Sequence, residues 1–276
     1  MKHAFTVTAA AAATLALAFL VVPVVALFLR VPPGDLIHAL GTSAAQDALL
    51  VSLKTSAIAH VAVLLVGTPA AYAIGRRRFR GRALLLSLIE LPLVLPPAVA
   101  GIALLVTFGR LGLLGGTMSA LGIDIAFTQV AVILAVAFVE TPLYLRAAIA
   151  SFEGVDGTLL DAARTLRAGP FRVFARVALP LAAGGLGAAS ALALARGLGE
   201  FGATLLFAGS LQGVTQTLPL AVYAQFEVNL DIALAIGALF VAFGAALLLA
   251  LKLIPGWTRS ISLWTFRSAS SPSTSS

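Results

Sequence analysis

The sequence predicts an all-α polytopic membrane protein with about six transmembrane helices, and three observations carry that reading. Of its 276 residues, 60% are hydrophobic and only 11% charged, more apolar surface than a water-facing exterior can hide. The apolar residues form uninterrupted runs of about 20, the length at which a helix crosses a hydrocarbon layer of roughly 30 Å. Those runs are rich in Ala, Leu and Val and lack the short alternating segments of a membrane β-barrel.

Six spans follow, at 9–29, 48–74, 84–108, 126–149, 183–208 and 230–252. The chain divides into an N-terminal transmembrane helix (1–30), a transmembrane core (48–252) with a polar loop at 150–182, and an interfacial, disordered tail (253–276). The first run is longer than the apolar core of a secretory signal, about 7–15 residues, and is expected to be retained as a helix.

Arginine placement orients the spans. The second connection carries Arg76, Arg77, Arg78, Arg80 and Arg82; the fourth carries Arg164, Arg167, Arg172 and Arg176; and Lys252, Arg259 and Arg267 follow the last span. The first, third and fifth connections carry only Arg30 and Arg110. Basic loops stay on the cytoplasmic side, so both termini and the even loops are expected there, in a multi-pass membrane protein. The formal charge of +7 is thereby spent on orientation and implies no nucleic-acid partner. With no cysteine, disulfides and thiolate metal sites are excluded; no metal site, cofactor or catalytic group is expected.

The third span contains Leu91-Pro92-Leu93-Val94-Leu95-Pro96-Pro97. Proline removes backbone donors and clashes with the preceding turn, so this helix is expected to bend or open. In the fifth span Gly185, Ala189, Ala193 and Gly197 recur every four residues, as do Gly187, Ala191, Ala195 and Gly199. Each row lies on one helix face, where small side chains let neighbouring backbones approach. Arg196 and Glu200 lie four apart and are expected to pair as a structural ion pair. Lys54, His60, Glu90 and Glu140 are further intramembrane candidates for interhelical partners. Tryptophans at 257 and 264, followed by a serine-rich end, suit an interfacial and disordered tail.

The stretch at 161–180 reads as two short helices separated by Ala168-Gly169-Pro170. Negative charge at Asp156 and Asp161 suits the start of the first. Phe171, Phe174 and Val177, spaced for a helix, make the second an amphipathic element on the cytoplasmic face, able to dock a protein or rest on lipid.

Asp161-Ala162-Ala163, position 167 and Val177-Ala178-Leu179-Pro180 resemble the EAA loop of ABC importer permeases. That pattern runs Glu-Ala-Ala, a glycine four residues on, and Ile-x-Leu-Pro. Asp161 stands where glutamate is usual and Arg167 where glycine is usual. Arginine adopts positive φ less cheaply than glycine, so either the break is expected to move to Gly169-Pro170 or the docking surface to differ. The stretches 195–204 and 215–220 resemble molybdate permeases, as do 92–97 with Gly101 and 141–146; sulfate and tungstate permeases share parts of them.

The resemblance implies a type I ABC importer permease that forms a homodimer in the lipid bilayer. It also implies an ABC ATPase subunit as partner and a periplasmic or surface oxyanion-binding protein that delivers molybdate. The chain contains no Gly-x-x-x-x-Gly-Lys-Ser/Thr phosphate loop and is not the ATPase. The implied ATPase-coupling residues are Asp161, Ala162, Ala163, Leu166, Arg167, Gly169, Phe171, Arg172, Val177, Leu179 and Pro180. The implied gate or pathway residues are Pro92, Pro96, Pro97, Gly101, Gly199, Thr204, Gln216 and Thr217. Sulfate or tungstate import is the alternative. A proton-coupled secondary anion carrier is a further one, disfavoured because the intramembrane charges are scattered and no repeat is evident.

Overall fold

The computed structural model describes residues 2–252; the tail expected to be interfacial and disordered, with its tryptophans, lies outside the described residues. Among those described, every regular element is helical: α1 (Lys2–Arg30), α2 (Pro33–Gly41), α3 (Ser43–Gly75), α4 (Arg82–Val94), α5 (Pro97–Phe108), α6 (Gly115–Ala120), α7 (Gln129–Glu153), α8 (Gly157–Thr165), α9 (Pro170–Val173), α10 (Leu179–Leu198), α11 (Gly202–Ala208), α12 (Leu218–Phe226) and α13 (Leu230–Lys252). A π-helical turn (Phe174–Ala178) joins α9 to α10. Five helical stretches are long and apolar enough to cross a membrane, and α4 with α5 raises the number to six if that bent pair is one span.

The central element is α7, which packs against α3, α10, α4 and α11. Its start is set by Thr128, whose hydroxyl accepts a hydrogen bond from the Val130 amide at 3.2 Å; α3 starts likewise, with Thr42 accepting from Ala45. Such caps satisfy amides that no helical carbonyl can reach. Lipid tails are as apolar as leucine, so helices in a membrane associate through close packing and polar contacts. The small-residue row of α10 does this. A side chain at Gly185 would lie 2.2 Å from Ser151 Oγ, and one at Gly197 2.0 Å from Glu140 Oε1. Ala189 and Ala193 between them are buried. The second row is buried at Ala191 and emerges to the surface by Ala195 and Gly199.

Two expected spans are built differently. The third is two helices meeting at 110°. Pro92 is accommodated inside α4; the break falls at Leu95 and Pro96, which take extended geometry (ψ 130° and 139°). Each precedes a proline, whose ring disfavours helical geometry in the residue before it. The fifth begins earlier and ends sooner than 183–208. One helical stretch runs from Pro170 to Leu198, and 202–208 forms the separate helix α11, packed on α5. The element expected to lie apart on the surface, with Phe171, Phe174 and Val177, is thus the first turns of a span. Pro180 has no amide to donate, and the preceding turn widens to π geometry, with the Leu179 amide reaching Phe174 O. Beyond these, α13 packs on α12 and α2, and α1 touches the rest mainly through α13.

Candidate functional site

The arginine-bearing connections meet at one end of the bundle. Arg76 Nη1 donates to the carbonyl of Val155 at 2.9 Å, and Arg82 pairs with Glu153, tying the start of the polar loop to the α3–α4 connection. A cavity of about 460 Å³ lies between them, lined by Tyr72, Arg76, Arg77, Arg164 and Pro170 among others. Helix α8 is capped by Asp156, whose carboxylate accepts from the Thr158 amide at 2.9 Å. That hydrogen bond from the backbone, with the nearby Arg76 charge contributing less, holds the Asp156 carboxyl below the ordinary carboxylate range.

Helix α8 ends in a Schellman motif. The Ala168 amide donates to Ala163 O at 3.1 Å and the Arg167 amide to Arg164 O at 2.9 Å, the paired bonds that close a helix through a left-handed residue. That residue is Arg167, at φ 60°. The turn therefore keeps its place instead of moving to Gly169, which is extended (φ −66°, ψ 162°) and caps α9. The Arg167 side chain is exposed.

Around this turn Asp161, Ala162, Leu166, Gly169, Phe171, Arg172 and Pro180 face outward. Asp161 is held by Arg164 at 2.8 Å. Leu166 and Phe171 expose 83% and 79% of their surface, two large apolar side chains on an otherwise basic face. Ala163, Val177 and Leu179 instead pack against the protein's own core with Leu160 and Val173.

The expected gate residues divide. Pro96 and Pro97 form the break between α4 and α5, while Pro92 stays within α4. A side chain on Gly101 would lie 2.8 Å from Ala203 O, and one on Gly202 2.8 Å from Pro97 Cβ; glycine is what lets α5 and α11 touch backbone to backbone. Gly199 is exposed at the end of α10. Thr204 and Thr217 are buried, with hydroxyls that find no hydrogen-bond partner among the described residues. Gln216 is half-buried and donates to Ser210 at 3.2 Å.

Arg196 and Glu200 lie together, Nη1 to Oε2 at 2.9 Å. Glu200 has a second role not foreseen in the sequence: its Oε1 accepts from the Ala203 amide at 2.8 Å and so caps α11. The scattered intramembrane charges also find partners. Lys54 donates to Gln129 at 2.8 Å, Glu90 lies 3.5 Å from Arg146, and His60 Nδ1 lies 2.8 Å from Glu140 Oε2. The role of Ser190, 2.8 Å from His60 Nε2, had no sequence signal, since a lone serine in an alanine-rich helix looks like packing.

This geometry — close-packed spans, a proline-broken helix against a short capped one, and a polar loop rooted in two spans — defines a multi-pass membrane transport component. Residues 64–259 match the family described as "Binding-protein-dependent transport system inner membrane component", and the chain belongs to that family. It is 48% identical over 235 residues to "Molybdenum transport system permease protein ModB" of Mycobacterium tuberculosis, covering 84% of this chain and 88% of the relative. To the protein of the same description in Escherichia coli K12 it is 44% identical over 182 residues, 66% of this chain and 80% of the relative. "Sulfate transport system permease protein CysW" of Synechococcus elongatus is 38% identical over 195 residues, 70% of this chain and 68% of the relative. Among solved structures, a chain of a bacterial ABC transporter that imports the acidic polysaccharide alginate aligns with TM-score 0.72 at 16% identity, over 91% of this chain and 95% of its own. A chain of the MetNI methionine ABC transporter aligns with TM-score 0.54 at 18% identity, over 75% and 94%. At such identities the structural likeness speaks for the fold alone.

Proposed function

We propose that this chain is the permease subunit of an ATP-driven importer that carries molybdate across the cytoplasmic membrane. The observation that carries the substrate is the 48% identity, over most of both chains, to a molybdenum permease, against 38% to a sulfate permease. Two copies form the pore, a separate ATPase supplies the energy and a binding protein delivers the oxyanion. The arginine-rich end faces the cytoplasm with both termini, supported by the convergence of both arginine-rich connections there.

Docking of the ATPase falls on the turn around Arg167, where Leu166 and Phe171 offer exposed apolar anchors among basic residues. Because α7 enters the loop and the 170–198 stretch leaves it without interruption, a push on α8 acts directly on two spans. Such rigid-body movement suits alternating access. The proline break and the α5–α11 contact form the gate. A tetrahedral dianion is repelled by a bare carboxylate, but Glu200 is engaged by Arg196 and the Ala203 amide. Hydroxyls and amides such as Thr204, Gln216 and Thr217 provide weak, transient contacts, which favour release over retention.

The test is reconstitution of the permease with its ATPase in proteoliposomes. Molybdate-loaded binding protein should stimulate ATP hydrolysis and accumulate molybdate inside. Stimulation by sulfate-loaded binding protein alone would reassign the substrate, and uptake without ATP would overturn the ATP-driven mechanism.

A further inference from the structure

His60 on α3, Glu140 on α7 and Ser190 on α10 form one hydrogen-bonded chain, with both links at 2.8 Å. Glu140 is wholly buried at 0% exposure and His60 at 8%. The second carboxylate oxygen, Oε1, has no hydrogen-bond partner among the described residues and sits against Gly197, where a methyl group would come within 2.0 Å of it. Ser190 and Gly197 are two helical turns apart, so both face the same neighbours.

A buried ion far from water is costly unless paired, and removing one partner costs far more than the pair is worth. The His60–Glu140 pair escapes that cost when it holds a single proton, because the pair is then neutral overall wherever the proton lies. Other ionisable groups on the surrounding helices are engaged elsewhere: Lys54 with Gln129, Arg146 with Glu90, Arg82 with Glu153 and Arg196 with Glu200. Tyr144, one turn beyond Glu140, is bonded to Thr68 at 2.6 Å, and α11 carries no ionisable side chain. No second charge is therefore at hand to stabilise a bare carboxylate at position 140.

We propose that His60, Glu140 and Ser190 are positioning residues for transport: a one-proton bolt, seated in the Gly197 notch, that makes α3, α7 and α10 move as one body. Two of the helices it joins, α7 and α10, lie on either side of the polar loop, and α10 ends at the break before Glu200 and α11. Force on the loop thus reaches the α5–α11 gate through a unit whose register the bolt fixes. Among the described residues the chain of groups stops at Glu140 and so forms no transmembrane proton path.

This inference rests on the transport reading and is tested in the same proteoliposomes, with molybdate-loaded binding protein outside and wild type alongside. His60→Ala leaves the carboxylate bare and is expected to lower ATP-driven molybdate uptake at neutral pH at least about tenfold, while the complex still assembles with its ATPase. Glu140→Gln, of equal shape and uncharged, keeps the hydrogen bonds and retains uptake within about threefold. The double variant His60→Ala/Glu140→Gln removes the bare charge but still lacks both hydrogen bonds of the chain, so its uptake stays near the His60→Ala level. A penalty from the bare charge alone would instead be relieved in the double variant, and a plain packing defect would lower assembly and thermal stability along with uptake. Uptake by His60→Ala equal to wild type, or a double variant that regains wild-type uptake, overturns the bolt. Failure of wild type to take up molybdate faults the substrate assignment instead.

Discussion

Replacing Arg167 with glycine should tighten the turn that ends α8. At φ 60° a residue with a Cβ pays a steric cost of about 1–2 kcal/mol in the left-handed region, which glycine escapes. Part of that gain is returned, because glycine is also freer in the unfolded chain, leaving about 1 kcal/mol in favour of the variant. The lost guanidinium costs nothing within the protomer, since it makes no ion pair or hydrogen bond among the described residues. Arg167→Ala isolates the backbone effect, for it removes the same side chain but keeps the Cβ. The assay is hydrogen exchange at the Arg167 and Ala168 amides, which donate to Arg164 and Ala163. A gain of about 1 kcal/mol slows local opening roughly fivefold. Exchange in Arg167→Gly as fast as in Arg167→Ala would refute the idea that positive φ strains this turn.

Three further outcomes are expected. Gly197→Ala drives a methyl group into Glu140 and should cost about 2–3 kcal/mol, whereas Gly199→Ala, whose nearest neighbour would be 3.9 Å away, should be tolerated; thermal unfolding in detergent compares them, and equal midpoints would contradict the packing. Asp156→Ala removes the α8 cap, so above about pH 4 the Thr158 amide should exchange faster than in wild type once intrinsic rates are corrected. In wild type the same protection should be present above the unfolded carboxyl range and fade only as pH falls below about 4, because the folded carboxyl is held low. Leu166→Asp places a charge on an exposed apolar anchor and should abolish co-purification with the ATPase while the permease remains inserted; an intact complex would move the dock elsewhere.

What was legible in the sequence was whatever neighbouring residues decide among themselves. The spans follow from run length, and the break at Leu95–Pro97 from consecutive prolines. The α10 packing face follows from small residues at spacing four, and the Arg196–Glu200 approach from the helical repeat. Partners distant in the chain were out of reach. His60 and Glu140 are 80 residues apart, and nothing local in either helix selects the other as its neighbour. For the same reason they looked scattered, although each lies opposite its partner once α3 and α7 pack. The separation of α11 from α10 has no such signal, because its cause is a hydrogen bond that the Ala203 amide donates to the Glu200 carboxylate and a glycine contact with α5, neither visible as a change in hydropathy.

Arg167 shows how a correct local rule can still misplace a turn. Considered alone, arginine's dislike of positive φ favours shifting the break to Gly169-Pro170, where no side chain objects. Two backbone hydrogen bonds close the motif at Arg167, each worth about 1 kcal/mol. Ala163 and Ala168 at its two ends also pack against the core around Leu160 and Val173. Moving the turn by two residues would break both bonds and withdraw that contact, costing more than the roughly 1–2 kcal/mol of strain it would relieve. It would also take Gly169 from its place capping α9, and with it the start of the helix that continues into the membrane. Tertiary contacts therefore hold the hinge in place against the preference of the residue that occupies it. An exposed guanidinium is left on the turn, near the exposed Leu166 and Phe171 side chains proposed to meet the ATPase.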